Sequence, residues 1–180
     1  MKKIFMLLFL ANTLISFGQN SKLKLGPKGV NPTNFILTNI TTENTYKRTL
    51  EWLHLNHKNL DKIMEQNTKS NAIIIRGAVE HHVWTPLRGG KIDNYDIEYT
   101  LIIEFNQQGY RLNYQLGNFE KDGVKRSTSS KDLFYGLKDH VRENFKEAVT
   151  GIENKLNTNN ESLYQFILSY DNRNYTTSIK

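Results

Sequence analysis

Two runs of alternating apolar and polar residues, separated by a tight-turn pair, constrain the fold of this chain most strongly. In residues 95–106, the odd-numbered positions are apolar or aromatic and the even-numbered positions are mostly polar. Gln108-Gly109 suits a hairpin turn, and the alternation then resumes through residues 110–116. Because successive side chains of a strand point to opposite faces, this pattern predicts two paired strands with one apolar face.

Further β-prone runs extend the predicted sheet. Ala72 to Trp84 is the clearest of them, Leu60 to Gln66 is weaker, and Phe35 to Ile40 is short. If Gln107 pairs with Tyr110 in the hairpin, both strands turn their apolar residues to the same face, so the register is self-consistent. The sequence therefore predicts an antiparallel sheet with one side to be covered.

Helical patterns supply the covering layer. The threonine pair at 41–42 can cap a helix that runs to about His57. A long apolar stripe with a spacing of three or four residues predicts a second helix over about 129–156. Thr158 and Glu161 form a capping-box pattern, which predicts a separate short helix at the C-terminus.

This order of elements predicts an α+β fold, a two-layer sandwich with helices on one face of a curved antiparallel sheet. A length of 180 residues suits one such domain. We predict a signal peptide at 1–18, a Gly- and Pro-containing linker at 19–33, the domain at 34–157, and a C-terminal helix and tail at 158–180. The other face of the sheet is expected to stay open.

The N-terminus has the pattern of a cleavable secretory signal peptide. Lys2 and Lys3 precede a largely apolar run from Ile4 to Phe17, which is shorter than the roughly 20 residues that span a bilayer. Cleavage near Gly18 would release a periplasmic or extracellular chain without a transmembrane segment. The sequence has no cysteine, which excludes a lipoprotein anchor, disulfides and thiolate chemistry.

Three stretches carry a family resemblance: Tyr46–Leu53, the Ile73–Gly77 strand, and Tyr99–Phe105 running into Tyr110–Tyr114. Over about Phe35 to Phe119, the chain resembles the family called domain of unknown function 4468, which is described as having a TATA-binding-protein-like (TBP-like) fold. The resemblance implies a β-α-β-β-β-β-α order and an exported protein of Gram-negative bacteria. It implies no activity, cofactor or catalytic residue.

Charged and aromatic residues of the open face and its adjoining loop form the candidate binding surface: Arg76, Glu80, His82, Trp84, Arg88, Glu98 and Arg111. We predict a non-enzymatic module of the envelope that binds a protein, peptide, glycan or lipid, without cofactor or metal. The alternative is a hydrolase-type enzyme that uses His82 and Glu98 for acid–base chemistry. Trp52 and Leu55 lie off the apolar face of the first helix and suggest a homo-oligomer contact.

The charge pattern argues against nucleic acid as the partner. The net charge is +6, but the predicted open face has at least as many carboxylates as cations, whereas DNA contact needs clustered Lys and Arg. His81 and His82 point to opposite faces of their strand, so they cannot easily share a metal ion.

Overall fold

The computed structural model of the protein describes residues 22–58, 60, 64–67, 71–86, 92–121, 124–126 and 129–169. Its strands are β1 (Leu25–Gly26), β2 (Gly29–Val30), β3 (Ile36–Leu37), β4 (Met64–Asn67), β5 (Ala72–Pro86), β6 (Ile92–Asn106), β7 (Gly109–Lys121) and β8 (Val124–Arg126). Its α-helices are α1 (Thr42–Asn56), α2 (Ser130–Phe134) and α3 (Lys146–Ser169). The predicted signal peptide, Arg88 and the tail beyond Ser169 lie outside the described residues.

Strands β3 to β8 form one antiparallel sheet in the order β3-β7-β6-β5-β4, with β8 paired to β7. In the β6–β7 hairpin, Tyr110 pairs with Phe105 and Leu112 pairs with Ile103. The predicted pairing of Tyr110 with Gln107 is therefore wrong by two residues. Since side chains alternate with a period of two, this slip leaves every apolar residue on its predicted face.

One face of the sheet is buried beneath two helices. The buried residues on this face include Ile73, Ile75, Leu101, Ile103, Leu112 and Tyr114. Helix α1 contacts β6 and β7, and α3 contacts β5 and α1. The intervening residues on the same strands are half-buried or exposed. The predicted two-layer α+β sandwich with helices on one face is confirmed.

A β-bulge in β7 extends the buried face beyond the hairpin's regular alternation. Ile97 pairs with Phe119 and Tyr99 pairs with Leu116, so Gly117 and Asn118 together oppose the single residue between Ile97 and Tyr99. The extra residue returns Phe119 to the covered side, where it is 1% exposed. Its ring meets Phe134 of α2 edge-on, with centroids 5.2 Å apart.

Gly109 begins β7 at a point where another backbone passes very close. A Cβ placed on it would lie 1.9 Å from the carbonyl oxygen of Ile36 in β3, and its φ is 154°. Only glycine fits both conditions, so this residue fixes the short strand β3 against the edge of β7.

Residues 22–33 do not form the linker predicted over 19–33. They fold into the β1–β2 hairpin, whose apolar residues Leu23, Leu25 and Val30 are buried in the main core. The Asn157 side chain of α3 accepts from the Leu23 amide at 2.8 Å and donates to the Leu23 carbonyl at 3.0 Å. Gly26, Pro27 and Gly29, three of the four Gly and Pro residues that suggested a linker, instead form the hairpin turn and its flanking pair.

The helical region after the sheet also differs from the sequence pattern. Ser129 caps α2 at the predicted start of the long helix, but α2 ends at Phe134, and α3 begins only at Lys146. Phe134 and Phe145 pack together with centroids 5.5 Å apart, which brings the two ends of the connection together. The predicted C-terminal helix is present but continues α3 through Thr158, so the predicted boundary at 157/158 lies inside one helix.

Candidate functional site

The predicted site residues other than Arg88 lie along three neighbouring strands. Arg76 is in β5, Glu98 is in β6 and Arg111 is in β7. The backbones of Glu80, His82 and Trp84 continue along β5, but their side chains lie outside the described residues. The structure thus brings part of the predicted surface together in one sheet.

Arg76 makes a two-pronged ion pair across the edge of the sheet. Its Nε and Nη2 atoms donate to the two carboxylate oxygens of Glu65 in β4, at 3.1 and 3.2 Å. The hydrogen bonds and the charge of Arg76 lower the pKa of the Glu65 carboxyl. Both side chains are more than half exposed, so the pair orders the surface without adding much to stability.

Arg111 forms a second ordered cation, on the β7 side of the sheet face. Its Nε donates to the carboxylate of Glu104, its direct cross-strand partner in β6. Its guanidinium carbon also lies 5.2 Å from the centre of the Phe35 ring. An arginine held both by a carboxylate and over an aromatic ring loses little further freedom when a partner binds it.

An apolar pair lies between these ion pairs. Ile74 of β5 pairs with Ile102 of β6, and both side chains are half-buried on the open face. We call this arrangement the open-face patch; it comprises Phe35, Glu65, Ile74, Arg76, Ile102, Glu104 and Arg111. It combines an apolar centre with charged groups at two sides, which is the usual organisation of a protein-binding surface.

The sequence predicted the two arginines of the open-face patch, and its candidate set lacked the other five members, Phe35, Glu65, Ile74, Ile102 and Glu104. The strand over 60–66 was identified, and its pairing with β5 was the signal that could have placed Glu65 beside Arg76. Phe35 precedes a strand of only two residues, Ile36–Leu37, whose place beside β7 no sequence pattern indicates.

Glu98 lies at the bulge, opposite Gly117. A Cβ at Gly117 would lie 3.2 Å from the Glu98 carbonyl oxygen and 3.3 Å from its Cβ. In β5, the residue that pairs with Glu98 is Ala78, and the register shifts between Val79 and Val83. His82 is therefore not the direct cross-strand partner of Glu98. Acid–base cooperation between the two residues would favour such a direct pairing.

Two clefts lie away from the open-face patch. The first, of about 700 Å³, is lined on the helix side by Thr42, Glu43 and Tyr46 and on the sheet side by Asn71, Phe105 and Asn106, with Gln107 at the turn. We call it the Tyr46 cleft. The second, of about 590 Å³, follows the polar side of α3 from Asn154 to Gln165. None of the predicted site residues lines either cleft.

Beneath the helices, two buried polar atoms of the described part have no hydrogen-bond partner, Tyr110 Oη and Asn160 Oδ1. Burial, with smaller contributions from Tyr164 and Glu161, raises the pKa of Tyr110 well above its ordinary value. Burial likewise raises the pKa of Tyr114. These tyrosines therefore stay neutral and belong to the core.

Trp52, which together with Leu55 suggested an oligomer contact, has a structural role. Trp52 is 5% exposed, and its indole Nε1 donates to Ser162 Oγ of α3 at 3.1 Å. Leu55 is 74% exposed on the outer side of α1. Trp52 therefore joins the two helices, and the interpretation of Trp52 as an oligomer contact is wrong.

The described residues also bear on metal binding and on membrane spanning. Within the described ranges, no three His, Asp or Glu side chains lie close enough together to hold a metal ion. None of the helices described is long and apolar enough to cross a bilayer.

The fold has a solved counterpart. A TBP-like protein from Parabacteroides distasonis matches with a TM-score of 0.57 over 79% of this chain and 94% of that chain, at 9% identity. At that identity the match shows the fold alone, and it defines this protein as a TBP-like α+β protein. Residues 33–121 match the family described as a domain of unknown function (DUF4468) with TBP-like fold. This match confirms the resemblance predicted from the sequence. No curated protein matches the chain.

Proposed function

We propose that this protein is an exported, non-enzymatic binding module of the bacterial envelope, and that it binds another protein through the open-face patch. The N-terminal pattern of residues 1–18 supports export. The observation that carries the binding proposal is the Ile74–Ile102 pair, flanked by two arginines that carboxylates already hold in place.

The shape of this surface favours a macromolecular partner. Small-molecule sites are concave and enclose their ligand, but the patch residues lie across four strands of one sheet face, and the predicted site residues line neither described cleft. Protein interfaces commonly have an apolar centre and a polar rim, and arginine is enriched among the residues that contribute most to their binding energy. The hydrolase alternative has no supporting observation among the described side chains.

Export is tested by fractionating native cells and determining the mature N-terminus by mass spectrometry. A chain that begins near Gln19 in the soluble envelope fraction supports the proposal. An intact Met1 in the cytoplasm would overturn the proposed compartment.

Binding is tested in cells with a photo-crosslinking amino acid at Thr100, a half-buried open-face position that pairs with Arg76. We expect one discrete adduct to an envelope protein, identified by mass spectrometry, and its loss in an Arg111→Glu variant. The matched control places the same probe at Thr150, which is exposed on α3. No adduct at Thr100, or the same products from both positions, would contradict the proposal.

A further inference from the structure

The loop between α2 and α3 presents one fully exposed leucine. Leu137 is 94% exposed, more than the other exposed large apolar residues of the described part, Leu55 at 74% and Leu37 at 49%. Single exposed leucines are common on protein surfaces and need no explanation alone. Leu137 differs from an ordinary exposed leucine in the conformation of the backbone beside it.

The two residues after Leu137 both adopt the left-handed conformation. Lys138 has φ 60° and Asp139 has φ 57°, and neither is glycine. L-residues rarely occupy this region, and two in succession store conformational strain. Such strain persists only where the surrounding structure enforces it, and it is concentrated at functional sites.

The surrounding contacts do enforce this conformation. Gly136 donates its amide to the His140 carbonyl at 2.9 Å, and Tyr135 and Val141 form a bridge of antiparallel β type. Arg142 Nε donates to the Tyr135 carbonyl at 3.0 Å. We call residues 135–141 the knob loop. It holds Leu137 outward on a closed frame, so little conformational freedom remains to be lost on binding.

The Tyr46 cleft has the complementary properties. Its volume of about 700 Å³ is ample for a leucine side chain, and Tyr46 and Phe105 form an edge-on aromatic pair with centroids 5.2 Å apart. Glu43 is the charged residue of its lining. The knob loop carries Lys138 beside Leu137, so an apolar contact and an ion pair can form together.

Knob and cleft lie at opposite ends of the β6–β7 hairpin. The knob loop follows Phe134, which packs on Phe119, while the cleft adjoins the turn where Asn106 pairs with Gly109. Ten residues of strand separate Gly109 from Phe119, which corresponds to roughly 33 Å. Leu137 therefore cannot reach the cleft of its own chain, but it can reach that of a second copy.

We propose that copies of this protein associate head to tail, with Leu137 of one copy in the Tyr46 cleft of the next and Lys138 paired with Glu43. The two contact surfaces differ, so this contact is heterologous and extends into chains. The interface is small, and we expect a dissociation constant on the order of 10⁻⁴ M. It leaves the open-face patch free, so it stands independently of the proposed function.

Sedimentation of the purified protein without residues 1–18, a form that keeps every described element, tests this proposal. We expect the average mass to rise with concentration up to about 1 mM. Leu137→Ser should weaken association at least tenfold at an unchanged melting temperature, while Leu55→Ser, the matched exposed leucine, should leave it unchanged. A monomer at all concentrations, or equal effects of the two substitutions, would overturn the proposal.

Charge reversal tests the pairing of the two surfaces. Glu43→Lys and Lys138→Glu should each weaken association, and the double variant should restore it. A mixture of Leu137→Ser, which retains the Tyr46 cleft, with Glu43→Lys, which retains the knob loop, should form dimers that do not grow further, with the affinity of the native contact. Failure of the double variant to recover, or a mixture that stays monomeric, would contradict the head-to-tail contact.

Discussion

The two faces of the β6–β7 hairpin come from the same alternating sequence but have different physical roles. Ile103 is fully buried beneath the helices, whereas Ile102, one residue earlier, is half-buried on the open face. The covered face contributes to stability through apolar area removed from water. The open face keeps apolar and charged groups in contact with water, where they are available to a partner.

This difference separates the residues that maintain the fold from those available for function. Substitutions on the covered face should reduce the free energy of unfolding, and substitutions on the open face should change it little. A large effect on the open face would mean that something covers it in solution.

The largest effect is expected for Ile103→Ala. Removal of a fully buried isoleucine side chain should lower the free energy of unfolding by about 2–5 kcal/mol, through lost transfer energy and a residual cavity. Urea denaturation followed by circular dichroism measures the loss, with an unchanged m-value as evidence that the unfolded state is unaffected.

Ile102→Ala is the matched substitution on the open face. A cross-strand pair such as Ile74–Ile102 contributes about 0.2–1 kcal/mol, so the loss should stay within that range. Equal losses for the two variants would break the distinction between the faces and point to a bound partner or a second copy on the patch.

The sheet and its covered face could be predicted because period-two alternation fixes the side on which each residue lies. Even the two-residue slip in the hairpin register preserved this assignment. The region before α3 could not be predicted in the same way. Leu133, Leu137 and Val141 fit a helical stripe, but Gly136 and the aromatic contact of Phe134 with Phe145 favour a compact loop instead.

The candidate site was predictable in part for a related reason. Arg76 and Arg111 lie on strands whose faces the alternation sets, so the sequence placed both on the open side. Their partners depend on which strands are neighbours, and pairing of Glu65 with Arg76 requires β4 to lie beside β5. The strained pair at Lys138 and Asp139 leaves no mark in the sequence, because neither residue type requires a positive φ.

The bulge at Gly117 decides on which face of the sheet Phe119 lies, so a substitution there tests the difference between the covered and the open face. Gly117→Ala would place a Cβ 3.2 Å from the Glu98 carbonyl oxygen, and we expect a loss of about 1–3 kcal/mol from overpacking. Gly151→Ala is the control: no atom lies within 4 Å of its Cβ, and an exposed helical position should gain about 0.5–1 kcal/mol. Thermal unfolding of both variants should show opposite shifts; two shifts of the same sign would refute the assigned role of the bulge.

The smallest effect on stability is expected for the exposed Glu65–Arg76 ion pair of the open face. The direction in which its contribution changes with pH follows from the pKa of Glu65. Arg76 lowers the pKa of Glu65 below its ordinary value of 4.5 in the folded state. The stabilisation from this pair is therefore present above pH 4.5 and lost as the pH falls through the lowered folded-state pKa.

Melting temperatures of the native protein and Glu65→Gln should differ slightly at neutral pH and converge in acid. Arg76→Gln should reproduce this pattern, and the double variant should show no further loss, because either substitution removes the same interaction. A difference that grows toward acid would show that Glu65 is stabilised in its protonated form and would remove the ordered arginine from the patch.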